Sequence, residues 1–335
     1  MELTVTFLPY EQVKSALCNE QYRWLVTGGA GFIGSHICRA LLQLGQEVIA
    51  LDNLSTGRRE NLDWIQSDLT KEQRLAFLFR EGDIRDRPVC LESCAGVDFI
   101  LHQAALGSVP RSLDFPLETN DVNVTGSLNV FLAARDSQVR KIVYASSSSV
   151  YGDNPELPKR EDQVCIPRSP YAVSKRSVEL YAEVFAGEYS LQLTGLRYFN
   201  VFGPRQDPYG PYAAVIPRWI QALERGIRCS LYGDGTTTRD FCFVENVVQA
   251  NILSALQRGE RAGHRVLNIG YGERISLQEL FQLIRQALGK STELSHEPFR
   301  QGDVPHSLAD ITCARKEIGY DPTIDVREGI LRTIS

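Results

Sequence analysis

Two residues in Tyr171-Ala172-Val173-Ser174-Lys175 can move a proton. A tyrosine and a lysine four positions apart project from the same helix face, one turn from each other. An isolated tyrosine hydroxyl ionises near pH ~10. A neighbouring ammonium favours the phenolate and brings that value toward neutrality, so the pair is a general acid and base. Tyr-x-x-x-Lys by itself occurs on many helices by chance. Here Gly28-Gly29-Ala30-Gly31-Phe32-Ile33-Gly34 stands far upstream, and Ser146-Ser147-Ser148-Ser149 lies between. A serine hydroxyl at the end of a strand can bond a substrate oxygen and share a proton with Tyr171. Several serines compete for that role.

These groups need elements to hold them. Trp24-Leu25-Val26 reads as an apolar strand before the glycine turn, with a helix over 35–44 behind it. A second strand over 47–51 ends in Asp52. In such a unit Gly28 permits the tight turn, Gly31 lets backbone approach a pyrophosphate, and Gly34 packs helix against strand. A carboxylate at Asp52 accepts hydrogen bonds from adenosine ribose hydroxyls and repels a 2′-phosphate, which points to NAD rather than NADP. Further strands are expected over 97–101 and 141–145, with a helical stretch over 120–135 between them. Strands alternating with helices predict an α/β fold, a doubly wound parallel sheet of the Rossmann type.

After Leu196-Arg197-Tyr198-Phe199-Asn200 the texture changes. Pro204, Pro208, Gly210, Pro211 and Pro217 mark loops and the start of a smaller, interleaved α/β substrate lobe. Segments 239–244 and 267–270 read as returns to sheet. The expected division is an N-terminal helical extension over 1–20 and a cofactor-binding domain over 21–198, with returns near 236–270. Residues 199–235 and 271–335 belong mainly to the substrate lobe.

A chain of 335 residues can bury a large core. Its 36 Lys plus Arg stand against 41 Asp plus Glu, a net charge of −5 with no basic tract. Nucleic acid and anionic membrane are therefore poor partners. No apolar run approaches the ~18 residues that cross a bilayer. Met1-Glu2-Leu3-Thr4 lacks the basic and apolar start of a signal peptide, so a cytoplasmic protein is expected. Among eight cysteines only Cys90 and Cys94 lie close, with no second Cys or His pair beside them. Reduced thiols are expected, not a metal site.

With these residues the chain resembles the extended short-chain dehydrogenase/reductase family. The matching motifs are the Gly28/Gly31/Gly34 turn, Gly82-Asp83-Ile84-Arg85-Asp86, His102-Gln103-Ala104-Ala105, Ser147 with Tyr171 and Lys175, and Arg197-Tyr198-Phe199-Asn200-Val201-Phe202-Gly203-Pro204. Within the family, His102 through Ser112 and Ser169-Pro170-Tyr171-Ala172-Val173 look like the bacterial 4-epimerases of UDP-N-acetylhexosamines, as does Arg205-Gln206-Asp207-Pro208. The resemblance implies bound NAD near Phe32, Ile33, Asp52, Asn53, Ser55, Thr56 and Gly57. Asp83 would bond the adenine amino group and Lys175 the nicotinamide ribose, with Ile84, Gln103, Ala104, Ala105 and Tyr198 completing that site. For a UDP-sugar it implies Gly107, Ser108, Ser148, Ser149, Asn200, Gln206, Ala214 and Val215. Arg239, Arg300 and Asp303 look like the diphosphate and uridine-ribose contacts; arginine suits phosphate because its planar fork binds oxygens in pairs.

The resemblance further implies an epimerisation through a transient 4-keto sugar, with Tyr171 as acid and base, for surface polysaccharide synthesis. Relatives that accept only UDP-glucose and UDP-galactose carry tyrosine at the place of Ser307. A serine there leaves room for a 2-acetamido group. The 4,6-dehydratases of the family carry an Asp-Glu pair where this chain has Ser148-Ser149. A UDP-glucose 4-epimerase, a nucleotide-sugar decarboxylase and, from another class, a non-enzymatic NAD-binding sensor are the other readings; such sensors commonly lose the Tyr or the Lys. A homodimer is expected through a four-helix bundle. The stretches at 120–135 and from Tyr171 carry Val130, Phe131, Val178, Leu180 and Val184 beyond one apolar stripe.

Overall fold

The computed structural model describes residues 9–209, 212–257, 263–298 and 305–335. Helix α1 (Tyr10–Leu17) precedes strand β1 (Arg23–Thr27), whose last four residues are all buried. Runs of this kind belong to parallel strands covered on both faces. Next come α2 (Phe32–Gln43), β2 (Glu47–Asp52), α3 (Arg59–Gln66), β3 (Phe77–Glu81) and β4 (Phe99–His102). Then follow β5 (Lys141–Ser147), β6 (Gln192–Tyr198) and a last strand, Gly263–Ile269. These seven strands form one parallel sheet. Across it the order is Gly263–Ile269, β6, β5, β4, β1, β2, β3. The order reverses between β1 and β4, and in open α/β sheets ligands bind at that crevice.

The expected doubly wound sheet is present, with differences in detail. Helix α2 begins at Phe32, earlier than expected, because Gly31 is itself the extended N-cap residue. Strand β3 carried no clear signal: it is an edge strand with no fully buried residue. The stretch expected as one helix over 120–135 is three joined pieces. An α-helical turn, Pro116–Asn120, passes into a π-turn, Asp121–Thr125, and then into the helix Gly126–Asp136. Segment 239–244 does not rejoin the main sheet. Thr238–Arg239 pairs antiparallel with Ile275–Ser276, and Cys242–Phe243 pairs with Val201–Phe202.

One face of the sheet is covered by α2 and the helix Val244–Leu256, the other by the helices Gly126–Asp136 and Pro170–Tyr189. A separate core of Trp219, Phe243, Leu280, Phe281 and Ile330 holds the smaller lobe. Val130, Phe131 and Val178 were expected on a second apolar side, but they are buried in the sheet's own core. Leu180 and Val184 are exposed as expected, and Leu113, Leu117 and Val173 join them. Among the described residues no helix is long and apolar enough to cross a membrane.

The helix Pro170–Tyr189 starts under two local signals: Ser169 caps it by accepting from Ala172 N–H, and Pro170 occupies the first turn. Its position against the sheet is set by Glu179. That carboxylate accepts from Arg197 Nε and Nη2, both at 2.9 Å, from Ser146 Oγ at 2.6 Å and from Arg176 Nη1 at 2.8 Å. Arg197 and Glu179 are almost wholly out of solvent, so neither charge has water to fall back on. Glu179→Ala, which strands the guanidinium, is expected to lower unfolding free energy by about 3–5 kcal/mol in urea denaturation. A loss below about 1 kcal/mol, the range of an exposed pair, would contradict this account of the helix anchor.

Candidate active site

A cleft of about 890 Å³ opens above the carboxyl ends of β1, β2, β4, β5 and β6, between the sheet and the smaller lobe. Its floor at one end is the glycine turn. Gly28 sits at φ +69°, and a methyl added there would come within 2.8 Å of Ala104 N. At Gly34 it would come within 2.1 Å of Gly28 O. Helix α2 has no side-chain cap at Gly31, so the free N–H groups of its first turn face the cleft as an anion cradle. Asp52 closes the turn from beneath: Oδ2 accepts from Ala30 N at 3.0 Å and Oδ1 from Leu54 N at 2.8 Å. A carboxylate has about four acceptor positions, so capacity for ribose hydroxyls remains. Burial raises the Asp52 pKa, and those backbone N–H groups oppose the rise. This cradle fits a dinucleotide.

The expected cofactor residues converge on this cleft. Phe32, Ile33, Asn53, Ser55, Thr56, Asp83, Ile84, Gln103, Ala104, Ala105 and Tyr198 line it together with the glycines. Gly57 lies behind Asp52, where an added methyl would meet the carboxylate. Asp83 is engaged by Arg85 Nη2 and Asn53 Nδ2, both at 2.7 Å, and Arg85 holds its pKa down to about 2. It is an anion throughout the physiological range.

At the other end stand the residues able to move a proton. Lys175 Nζ donates to Ala145 O at 2.8 Å and lies 5.9 Å from the centre of the Tyr171 ring. Burial pushes the Lys175 pKa down to about 8, against the opposing pull of Glu179. Burial also raises the Tyr171 pKa, opposed by a hydrogen bond with the Ser147 side chain. With the lysine turned to a carbonyl, burial is the larger influence on the phenol.

The serine run sorts itself by strand alternation and turn geometry. Ser146 lines the cleft floor, but its hydroxyl is committed to Glu179 at 2.6 Å. Ser147 is the serine next to Tyr171, where its side chain opposes the rise in the phenol pKa, and it accepts from Ser149 N at 3.1 Å. Ser148 lines the cleft, whereas the Ser149 hydroxyl is buried without a partner among the described residues.

Of the expected substrate residues, Gly107, Ser108, Asn200, Gln206, Ala214 and Val215 line the same cleft. Ser307 Oγ accepts from Asn200 Nδ2 at 3.3 Å. Arg239 Nη1 donates to the carbonyls of Thr238 and Pro305, both at 3.0 Å. Arg300 and Asp303 lie outside the described residues.

Several supporting residues had no sequence signal of their own. Asn123, in the π-turn, bonds Leu106 N and O and Ser174 Oγ, which joins the loop at 104–108 to the Tyr171 helix. Asn251, Tyr198 and Gln103 close a triangle of hydrogen bonds of 2.9–3.0 Å. His102 belongs to a quoted motif, yet its task emerges only in three dimensions. Ser127 donates to Asn123 O, so it accepts from His102 Nε2, and Nδ1 then accepts from Thr27. Burial lowers the His102 pKa to about 3, so the ring is a neutral structural link between β1, β4 and the helix Gly126–Asp136.

Residues 24–270 match the model of the NAD dependent epimerase/dehydratase family. A UDP-glucose 4-epimerase of Mycolicibacterium smegmatis is 40% identical over 314 residues, covering 93% of this chain and 97% of that protein. Among solved structures, a UDP-N-acetylglucosamine 4-epimerase from Methanobrevibacter ruminantium M1, in complex with UDP-N-acetylmuramic acid, is 39% identical. It superposes with a TM-score of 0.87 over 94% of this chain and 97% of that one. The UDP-glucose 4-epimerase of Thermotoga maritima with UDP-glucose is 37% identical, with a TM-score of 0.85 over 93% and 97%. A cleft built on this cradle, and relatives matched over nearly their whole length, lead to one conclusion: the chain belongs to the NAD dependent epimerase/dehydratase family, with NAD as its cofactor.

Proposed function

We propose that the protein interconverts UDP-N-acetylglucosamine and UDP-N-acetylgalactosamine at C4 in the synthesis of surface polysaccharide. The coarser reading, a nucleotide-sugar 4-epimerase, draws support from the Tyr171–Ser147–Lys175 arrangement and from relatives of that activity. The N-acetyl preference rests on one observation: the small Ser307 hydroxyl is the group that meets Asn200 at the cleft wall. Gly107 also lines the cleft, and a methyl added there would meet nothing within 4 Å. A serine bonded to Asn200, which lines the cleft, takes less room than a tyrosine would, and the difference suits an acetamido group. The second reading, UDP-glucose and UDP-galactose, is favoured by the names of relatives just as similar.

NAD, when bound, supplies a hydride acceptor and a positive ring beside the phenol. The chain supplies the proton path and the anchor. Tyr171 takes the 4-hydroxyl proton and later returns it, while Ser147 shares the hydrogen bond as charge develops. Lys175, held on Ala145 O, keeps an ammonium near the phenol at neutral pH. Asn200, Gln206 and the wall at Ala214 and Val215 hold the nucleotide half while the sugar turns over. Elimination of water would need a carboxyl group beside the catalytic hydroxyl, and Ser148 and Ser149 supply none.

The partner is a second copy of the chain. Leu113, Leu117, Val173, Leu180 and Val184 are exposed on the short helix Val109–Asp114, the turn Pro116–Asn120 and the helix Pro170–Tyr189. An apolar face of this size invites burial. In the expected four-helix bundle, the stretch over 120–135 and the helix Pro170–Tyr189 of each copy pair across a two-fold axis, and this exposed face lies beside them. Sedimentation at micromolar concentration should give a dimer, and Leu180→Glu combined with Val184→Glu should give a monomer. A monomeric parent protein would remove this claim.

Two measurements test the chemistry. In cofactor-free protein, phenolate absorbance at 295 nm assigned to Tyr171, by difference from Tyr171→Phe, should develop only above the ordinary value of ~10. Ionisation near neutral pH without cofactor would show that the chain alone activates the phenol. For the substrate, the four UDP-hexoses assayed side by side should favour the two N-acetylated sugars. Ser307→Tyr should lose them and retain UDP-glucose, since pockets discriminate by clash. Unchanged turnover of the N-acetylated pair in that variant would discard the assignment to Ser307.

A further inference from the structure

A cluster of cationic and aromatic side chains joins the smaller lobe to the cofactor lobe at the back of the glycine turn. Two guanidinium groups lie over the Trp64 ring, Arg39 at 4.8 Å and Arg205 at 5.2 Å from its centre. Arg39 belongs to α2 and is bonded to the carbonyls of Trp64 and Ser67, which unites α2 with α3. Arg205 arrives from the other lobe. Its Nε donates to Asn61 Oδ1 at 2.7 Å and its Nη2 to Glu60 O at 2.8 Å. Asn61 is buried, and its own Nδ2 donates to Ala30 O at 2.7 Å. Two hydrogen bonds thus lead from Arg205 to a carbonyl of the glycine turn itself.

The neighbours of Arg205 dock on the same surface. Pro204 O can only accept, so His36 Nε2, 3.0 Å away, donates to it. Burial lowers the His36 pKa to about 4, so the ring is neutral and this bond persists through the physiological range. Asp207 pairs with Arg58, whose backbone N–H also donates to Ala30 O. On their opposite side residues 201, 202, 206 and 207 form part of the cleft wall. Arg205 holds φ at +66°, a strained conformation for a non-glycine residue that persists only where its surroundings impose it. Its side-chain contacts are what impose it.

We propose that Arg205 is a positioning residue for cofactor retention: through Asn61 and Trp64 it fastens segment 201–207 to the glycine turn, so that NAD leaves only when this dock opens. The proposal rests on the cofactor site alone and is independent of which sugar is epimerised.

The test is the exchange of bound NAD against an excess of isotopically labelled NAD. It is followed by mass spectrometry on purified holoenzyme well below its melting temperature. Arg205→Gly relieves the positive φ, so its backbone is not strained, while Arg205→Lys keeps the charge without the planar fork. A lost charge-assisted hydrogen bond should accelerate exchange about tenfold or more in both variants. A residue with a purely structural role would lower the melting temperature and leave the exchange rate of the folded enzyme unmoved. Exchange at the parent rate in either variant overturns the proposal.

Discussion

The site depends on a buried carboxylate that must be neutralised in place. Glu179 lies one turn beyond Lys175 on the same helix, and burying it alone would cost several kcal/mol. Arg197, from β6, neutralises it, and Ser146, from β5, takes another of its acceptor positions. Three elements therefore meet at one point, and the helix has one rotation at which all bonds close. That rotation puts Tyr171 against Ser147 and Lys175 against Ala145 O. The reacting end of the cleft is thus positioned by electrostatics that the reaction does not touch.

A second constraint acts at the cofactor end, where backbone must approach backbone. The methyl-sized gaps missing at Gly28 and Gly34 force β1, α2 and the loop at 104 into contact. Polar side chains then tie that contact outward: Asp52 to Ala30, Asn61 to Ala30, Thr27 to Ala104. Rigidity there suits the binding of a dinucleotide cofactor.

The two proton-handling groups stand in an environment that favours their neutral forms. Burial lifts Tyr171 and lowers Lys175 together, so the chain alone does not prepare a phenolate. A bound nicotinamide would supply a positive charge to this end of the cleft, and a nearby positive charge favours the phenolate.

What was legible in the chain was what depends on neighbours in sequence. The spacing of Tyr171 and Lys175, the glycine turn, Asp52 at the end of β2, and the strand–helix alternation are all properties of short segments. Their geometry follows from backbone sterics and side-chain period. Strand β3 escaped notice although Phe77-Leu78-Phe79 is apolar, because so short a run fits a helix segment as well as a strand, and at the sheet edge it buries little. Val130, Phe131 and Val178 misled because apolar residues beyond one stripe can face a sheet as readily as a partner subunit. Tertiary structure alone decided which serine meets Tyr171, where the Lys175 ammonium points, and that Asn61, Asn123, Asn251 and Arg205 hold the cleft together. Each of those outcomes is a hydrogen bond between residues remote in sequence. Its free energy depends on burial and on the competing partners that the finished fold brings near, and no local pattern encodes either one.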